Sequence, residues 1–425
     1  MILLINTILW WSSLRSSHLN AGVIQTSLFG STLLMGFFMV FLLSTKARPI
    51  VRVFGGLEHL YWWHRLLAIT TTAMILLHAE WAVDNDGSGW LANLFGSEAD
   101  DAGELAQSGF LILVGLALLA KFFRYEHFRF LHRLMVVPYV IALYHSFALS
   151  WADLFAFDAL SIWMIATSLV GVGSAAYMLF AYRFTAFPHK GTIVQADHLS
   201  DDVTELKVRM NRPYRMKAGQ FAFLQVRGHN RSYEIHPFSI SGQEDGCLLF
   251  TIKSLGDYTS TLNQQPTLAG MVRVSHPYGD LTFDSPRSDQ VWIAGGIGIT
   301  PFLGALRSNW TPSGTVHLVY SVQHEQDAVH LGFLKRYASD HDWFQFTLHV
   351  TSEQGFLTGD ALTLTNDTAV YLCGPTPMVH ALRRQIHAID PDLPIHSEAF
   401  QFTGHLVDDA WRLVKSLWRQ VQTKR

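Results

Sequence analysis

Val291-Trp292-Ile293-Ala294-Gly295-Gly296-Ile297-Gly298-Ile299-Thr300-Pro301 is an apolar run, then a glycine-rich turn, then the start of a helix. The apolar run reads as a buried strand. The glycines let the backbone approach a ligand closely. The turn lacks the full GxGxxG pattern, and a glycine-rich turn by itself defines no site. Downstream, Val370–Leu372 is a later strand that ends in Cys373-Gly374-Pro375, with Met378 beyond. From about residue 288 strands and helices alternate, which makes this an α/β domain. Open α/β sheets bind ligands at the C-terminal ends of their strands. Cys373 is accordingly either a site residue or a buried structural thiol.

From about residue 188 to that domain the pattern is different. Thr192–Gln195, Val203–Met210, Phe221–Val226, Phe238–Ser241, Leu248–Ser254 and Met271–Ser275 are short strands with turn signals between them. They read as a small antiparallel barrel. Within it, His236-Pro237-Phe238-Ser239-Ile240-Ser241 ends in hydroxyls able to bond a flavin ring. After Lys253, the segment Ser254-Leu255-Gly256-Asp257-Tyr258-Thr259-Ser260-Thr261-Leu262 opens a helix with glycine and hydroxyls. The free N–H groups of a helix N-terminus suit a pyrophosphate. Taken singly, each segment also reads as an ordinary strand or helix cap.

The chain before residue 187 has a membrane pattern. Gly22–Leu43, Leu60–Val83, Phe130–Leu149 and Leu160–Tyr182 reach the length of about 20 mostly apolar residues that spans a bilayer, and Leu105–Phe123 is marginal. Met1–Trp11 is half a span, either a shortened first helix or an interfacial segment. No basic residue precedes it, which disfavours a cleaved signal peptide. Basic residues gather at alternate ends: Lys46, Arg48 and Arg52; then Lys121, Arg124, Arg129 and Arg133; then Arg183 and Lys190. These ends are expected to be cytoplasmic. The opposite loops carry Asp84, Asp86, Glu98, Asp100, Asp101, Glu104, Asp153 and Asp158.

Histidine inside a membrane is costly and usually has a function. His64 and His78 share one expected span, and His132 and His145 share another. The topology puts His64 and His132 near the cytoplasmic face and His78 with His145 near the outer face. Each level then offers one imidazole from each of two helices, the axial set of a b-type haem. Hydrogen-bonding or interfacial histidines are the alternative, and His59 and His127, in basic flanks, read that way. The levels lie roughly 20 Å apart at about 1.5 Å per residue, room for two stacked haems. The thirteen residues from His132 to His145 miss a common helix face by about 140°. Pro138 lies between them as a point of distortion.

Composition agrees with this division. Charged residues are 15% of the chain and apolar residues 49%, with a mean hydropathy of +0.18. Ordinary soluble proteins carry about 25% charge. Under a third of the charges lie in residues 1–186. A net charge of −3 gives no reason to expect nucleic acid. Two cysteines, Cys247 and Cys373, exclude both a four-thiolate iron–sulfur cluster and a disulfide scaffold. Redox work falls to flavin, haem or nicotinamide.

The order HPFSIS, glycine–hydroxyl helix start, GGIGITP and CGP resembles the ferredoxin–NADP reductase type of flavoprotein. With the paired-histidine bundle before it, the chain resembles the ferric reductase and NADPH oxidase superfamily over about residues 22–402. The resemblance implies a membrane α-helical haem-binding bundle (1–186), a cytoplasmic antiparallel β-barrel for FAD (187–286) and an α/β nucleotide-binding domain (287–402). It implies FAD binding by His236, Pro237, Phe238, Ser239, Ser241, Lys253, Gly256 and Thr259. Nucleotide binding falls to Gly295, Gly296, Gly298, Thr300, Pro301, Gly374, Pro375 and Met378, with Cys373 near the reacting carbon. A C-terminal aromatic, Phe400 or Phe402, matches the residue that covers the flavin ring in the family; Cys373 and Phe400 are the expected catalytic pair. His64, His78, His132 and His145 are the expected haem-iron ligands.

Three departures stand out. The family usually has six membrane helices, and the first here is short. Tyr320-Ser321-Val322 is followed by Gln323 and His324 where members that prefer NADPH often carry an arginine. The chain also continues past the aromatic. Val407, Trp411, Val414, Trp418 and Val421 mark an amphipathic helix over 403–425, packed on the cytoplasmic domain or lying on the inner membrane surface.

The expected function is transmembrane electron transfer from cytoplasmic NAD(P)H through FAD and two b-type haems to an outer acceptor, oxygen or ferric iron. The expected location is the cell membrane, multi-pass, with the lipid bilayer, the nucleotide and a small acceptor as partners. An electron-donor subunit for an outer protein partner and a membrane-anchored flavin reductase are the alternatives.

Overall fold

The computed structural model describes residues 2–14, 21–80, 90–119, 125–149, 158–227, 233–264, 266, 270–279, 281–308 and 310–398. Phe400, Phe402, the expected helix over 403–425 and the loop residues Asp84, Asp86, Lys121, Arg124 and Asp153 lie outside the described residues. The described chain forms two compact units that meet in sequence between Arg183 and Phe184.

The first unit is helical: α1 (Ile2–Leu14), α2 (Ala21–Ser44), α3 (Arg48–Val53), α4 (Leu57–Glu80), α5 (Trp90–Leu118), α6 (Tyr125–Arg133), α7 (Val136–Leu149) and α8 (Ala159–Ala176), which runs on into a π-turn at Tyr177–Ala181. Met1–Trp11 is thus largely helix, tied to α2 by a hydrogen bond from Asn6 Nδ2 to Ser31 Oγ of 3.1 Å. Its core joins Leu33, Met35, Phe37, Ile75, Phe110 and Tyr139, with the Phe37 and Phe110 rings stacked at 4.4 Å. Large apolar side chains such as Leu105, Ile112, Val140, Ile162 and Leu169 face outward, as a lipid-facing surface requires. Small residues sit at helix crossings: a Cβ on Gly36 would collide with Thr71, and one on Gly171 with Tyr139.

Two expected spans are corrected. Of the marginal Leu105–Phe123, the part up to Leu118 is the end of a longer helix that begins at Trp90, and residues 120–123 lie outside the described residues. Phe130–Leu149 is two helices, broken at Leu134 and Met135. Pro138 has no N–H for the Leu134 carbonyl. The chain tightens there, with Leu134, Met135 and Val137 each donating three residues back. Among the described residues, Asp101–Leu118, His127–Ala148 and Ala159–Thr185 are long and apolar enough to cross a membrane. The helix that carries His64 and His78 is not among them, because Arg65, Glu80 and the histidines dilute its apolar run.

The second unit holds two sheets. Strands β1 (His189–Ser200), β2 (Val203–Met210), β3 (Phe221–Arg227), β4 (Tyr233–Ser239), β5 (Gly242–Glu244), β6 (Cys247–Lys253) and β7 (Met271–Tyr278) form an antiparallel sheet in the order β4-β3-β7-β1-β2-β6-β5. Ile240 and Ser241 carry the chain from one edge to the other. Ile240 N–H donates to Gln220 O at 3.1 Å on the β3 side, and Ser241 N–H to Leu249 O at 2.9 Å on the β6 side. That crossing closes the sheet on itself and encloses Leu206, Val208, Leu224, Phe250 and Val274, all fully buried. The expected strand Phe238–Ser241 is thus displaced: it begins at Tyr233 and ends at Ser239.

The other sheet is parallel, from β8 (Asp289–Gly295), β9 (Val316–Val322), β10 (Phe344–Val350), β11 (Thr368–Cys373) and β12 (Ile395–Glu398), in the order β10-β9-β8-β11-β12. Strand order therefore reverses between β8 and β11. Fully buried Trp292, Phe302, Tyr320 and Tyr371 fill one face of it.

Candidate functional site

The structure brings the four membrane histidines together in pairs. The His64 and His132 ring centres lie 6.3 Å apart, and those of His78 and His145 lie 6.4 Å apart. Metal–imidazole bonds of about 2 Å, plus about 1.1 Å from each nitrogen to its ring centre, would put two axial rings of one metal about 6.2 Å apart. The residues therefore fit one iron at each level. His64 Nδ1 lies 3.1 Å from the Val40 carbonyl, which can only accept, so Nδ1 carries the proton and Nε2 is left for a metal. His78 Nδ1 is buried and has no hydrogen-bond partner among the described residues. Gly103 of α5 passes so close to His145 that a Cβ there would lie 2.7 Å from its Cε1. His59 Nδ1 lies 2.8 Å from the carbonyl oxygen of Gly55, in the turn that precedes α4.

In the barrel, the His236 ring stacks on Tyr258 at 3.9 Å and 16°, which joins β4 to the helix α9 (Asp257–Gln264). Phe238 lies 6.3 Å from His236, and Pro237 is opposite Phe223 in the ladder. The two expected flavin segments are therefore in direct contact. Leu255 and Gly256 N–H both donate to Thr259 Oγ1, at 2.9 and 3.1 Å, so Thr259 organises the turn that opens α9. Ser239 is buried. Ser241 is fully buried and its hydroxyl donates to Thr251 Oγ1 at 2.9 Å, within a polar cluster rather than on an open face. Lys253 Nζ pairs with Asp202 at 3.2 Å.

The glycine turn and the CGP segment meet where the strand order of the parallel sheet reverses. Cys373, the last residue of β11, is in register with Ala294 of β8 and is fully buried. A Cβ on Gly298 would lie 2.6 Å from the Cys373 carbonyl carbon and 2.8 Å from Gly374 Cα. A Cβ on Gly295 would lie 2.7 Å from Met378 Cε and 2.8 Å from Pro375 Cδ. Gly296 has φ +52° and open space around it, a conformation that favours glycine. Thr300 Oγ1 donates to Ile297 O at 3.0 Å, and Pro301 stands in the first turn of α10 (Thr300–Leu306). This crevice is where doubly wound sheets take their ligands.

Sequence reasoning did not find Tyr258, Gly103 or the buried set Glu205, Arg307 and His330. Only Gly103 left a signal, as a small residue inside a helix.

Comparison with known proteins follows the same division. The family "Ferric reductase like transmembrane component" matches residues 29–143, "FAD-binding domain" matches 189–294 and "Oxidoreductase NAD-binding domain" matches 292–384. The toluate 1,2-dioxygenase electron transfer component of Pseudomonas putida is 30% identical over 183 residues, 40% of this chain and 54% of that protein. Dual oxidase 2 of Sus scrofa is 27% identical over 226 residues, 47% of this chain and 13% of that protein. The FAD/NAD-binding domain of a nitric oxide dioxygenase from Vibrio cholerae superposes with a TM-score of 0.45 at 18% identity, over 50% of this chain and 98% of that one. The chain spans little more than half the length of the first curated relatives it matches. A ferric reductase-like membrane module, followed in order by FAD-binding and NAD-binding modules, places this chain in the ferric reductase and NADPH oxidase superfamily.

Proposed function

We propose that the chain is an NAD(P)H-dependent transmembrane oxidoreductase that moves electrons from the cytoplasm to an acceptor on the outer face. The observation that carries this reading is the pair of histidine sites, 6.3 and 6.4 Å between ring centres, in the same chain as FAD- and NAD-binding modules. His64 and His132 would hold one b-type haem, and His78 and His145 a second. When bound, FAD accepts the two electrons of a hydride and releases them singly, as one-electron haem iron requires.

The chain's own residues supply position. The turn at Gly295, Gly296 and Gly298 would receive the nucleotide's phosphates, with Gly374, Pro375 and Met378 on the facing wall. Cys373 closes the inner end of that crevice. The His236–Tyr258 stack and the Thr259-organised turn would hold the flavin and its pyrophosphate. The Val40 carbonyl orients His64, and Gly103 lets α5 pass His145. Two histidines would hold the group at each level, and the chemistry it would supply is electron transfer to an acceptor that need not bind iron. The acidic side chains of Asp101 and Glu104 near that end favour a cation over an anion, which supports ferric iron beside oxygen as acceptor.

A second reading, a donor subunit for a partner protein, is supported by the electron transfer components among the relatives. Sealed vesicles with the flavin domain outward test both. NAD(P)H added outside should reduce an impermeant ferric chelate trapped inside. Reduction only after a partner is added would favour the donor reading. A trapped acceptor that stays oxidised while an external one is reduced at full rate would leave a membrane-anchored flavin reductase.

A further inference from the structure

Glu205 of β2 and Thr251 of β6 stand opposite each other in the barrel ladder. Two residues of the nucleotide domain reach into the same spot. Arg307, which ends α10, places Nη1 2.8 Å from Glu205 Oε2 and 3.3 Å from the Ser241 carbonyl. His330 opens the helix α11 (Leu331–Asp340) and places Nε2 3.1 Å from the same Glu205 oxygen. Arg307 Nη2 also lies 3.1 Å from His330 Nδ1. A guanidinium can only donate, so His330 Nδ1 accepts and His330 Nε2–H donates to Glu205. The side chains of Glu205, Arg307 and His330 are 13%, 11% and 9% exposed. His330 takes a left-handed backbone conformation, φ +59°, uncommon outside glycine.

The placement of this cluster gives it a role. Helix α10 starts at the glycine turn and ends at Arg307. Midway along it, a Cβ on Gly304 would collide with the carbonyl oxygen of Ile240, the residue that follows the HPFSIS strand's serine. A Cβ on Gly242 would lie 3.0 Å from Arg307 Cδ. One short helix thus runs from the nucleotide turn, across the flavin strand, to a buried ion pair on the barrel.

We propose that Glu205, Arg307 and His330 are positioning residues that hold the nucleotide domain at working distance from the flavin strand. The inference rests on the nucleotide and flavin roles proposed above. Transfer needs reacting atoms about 3–3.5 Å apart, and a misplacement of about 1 Å costs about 10²-fold in rate. Glu205 receives three hydrogen bonds, from Arg307, His330 and Thr251. Lysine at 307 offers a point charge and loses the fork that joins Glu205, His330 and Ser241.

The test uses the full chain in detergent, reconstituted with FAD, with flavin reduction by NADH followed by stopped flow. FAD content and NADH affinity are measured on the same samples. Glu205→Gln and Arg307→Lys should reduce flavin roughly ten- to hundredfold more slowly at saturating NADH, with FAD content and NADH affinity within about twofold of the parent. His330→Gln keeps one donor and one acceptor and should retain most of the rate, whereas His330→Leu should match Glu205→Gln. Rates near the parent's in Glu205→Gln and Arg307→Lys overturn the proposal. So do equal losses in His330→Gln and His330→Leu, and so does a slowing that only tracks lost FAD. A parent chain whose bound flavin NADH does not reduce overturns the underlying reading as well.

Discussion

Replacing Gly298 by alanine tests the nucleotide crevice most directly. The added methyl would lie 2.6 Å from the Cys373 carbonyl carbon and 2.8 Å from Gly374 Cα. Carbon atoms prefer about 3.5 Å or more, so the CGP segment must retreat by about 0.9 Å. Both atoms are backbone, and Cys373 is fixed in the β11 ladder against β8, so no side chain can swing aside. Overpacking of this kind costs about 1–3 kcal/mol. A shift approaching 1 Å at a site that must align two reactants costs about 10²-fold in rate. Gly246→Ala, in the turn between β5 and β6, is the matched control, because no atom lies within 4 Å of its added Cβ and only its φ of +75° opposes it, at about 1–2 kcal/mol. Both variants are assayed by stopped-flow flavin reduction over a range of NADH concentrations, with thermal unfolding followed by flavin fluorescence. Gly298→Ala should lose nucleotide affinity and rate together, while Gly246→Ala loses stability and keeps the parent's kinetics. Normal kinetics in Gly298→Ala would falsify the assignment of this crevice to the nucleotide.

Other outcomes follow from the same geometry. His78→Ala should remove one of two haems by pyridine haemochrome assay and leave the other spectrally intact; loss of both, or of neither, contradicts two independent sites. Pro138→Ala restores an N–H for the Leu134 carbonyl, so the α6–α7 break should close and haem content should fall although no ligand is changed. NADH should exceed NADPH in kcat/KM by about tenfold or more, because Gln323 and His324 offer no guanidinium for a 2′-phosphate and the exposed Glu325 beyond β9 repels it. Glu325→Arg should narrow that ratio, and a parent enzyme that prefers NADPH refutes the reading. Burial raises the Glu205 carboxyl, but the His330 and Arg307 contacts outweigh it and hold it at about 2, against 4.5 ordinarily. A depressed carboxyl contributes stability above its unfolded value, lost as pH falls from about 4.5 toward 2, and the span corresponds to roughly 3 kcal/mol. Urea unfolding of the parent between pH 6 and pH 3 should therefore show an acid loss that Glu205→Gln lacks.

The sequence disclosed most where one local rule governed. Val203–Met210 was read to the residue, since alternation on a half-buried strand needs no partner to be recognised. The glycine turn and CGP were legible as punctuation, and the reversal of strand order explains why they converge. The barrel strand at HPFSIS was displaced because its end is set by closure: Ile240 and Ser241 pair with different strands, and no local pattern marks that. Glu205, Arg307 and His330 were illegible for a related reason. They are 102 and 23 residues apart along the chain, on segments whose own patterns are those of an ordinary strand and two helix ends.

The membrane histidines show how a failed periodicity can still mark a site. On an unbroken helix His132 and His145 face apart by about 140°, which would leave His64 and His78 with one partner instead of two. The chain keeps both partners by not being one helix. Leu134, Met135 and Val137 bond three residues back, which tightens the winding at that point, and α7 restarts at Val136 on a new phase. The break needs a cause that acts on the backbone, and Pro138, unable to serve the Leu134 carbonyl, supplies it. Gly109 of α5 faces that proline, where a Cβ would sit 3.1 Å from Pro138 Cβ, so the neighbouring helix is shaped to admit it. Gly103, six residues earlier on the same helix, makes room for His145. A proline and two glycines on the facing helix therefore bring the second pair to 6.4 Å, nearly the 6.3 Å of the first.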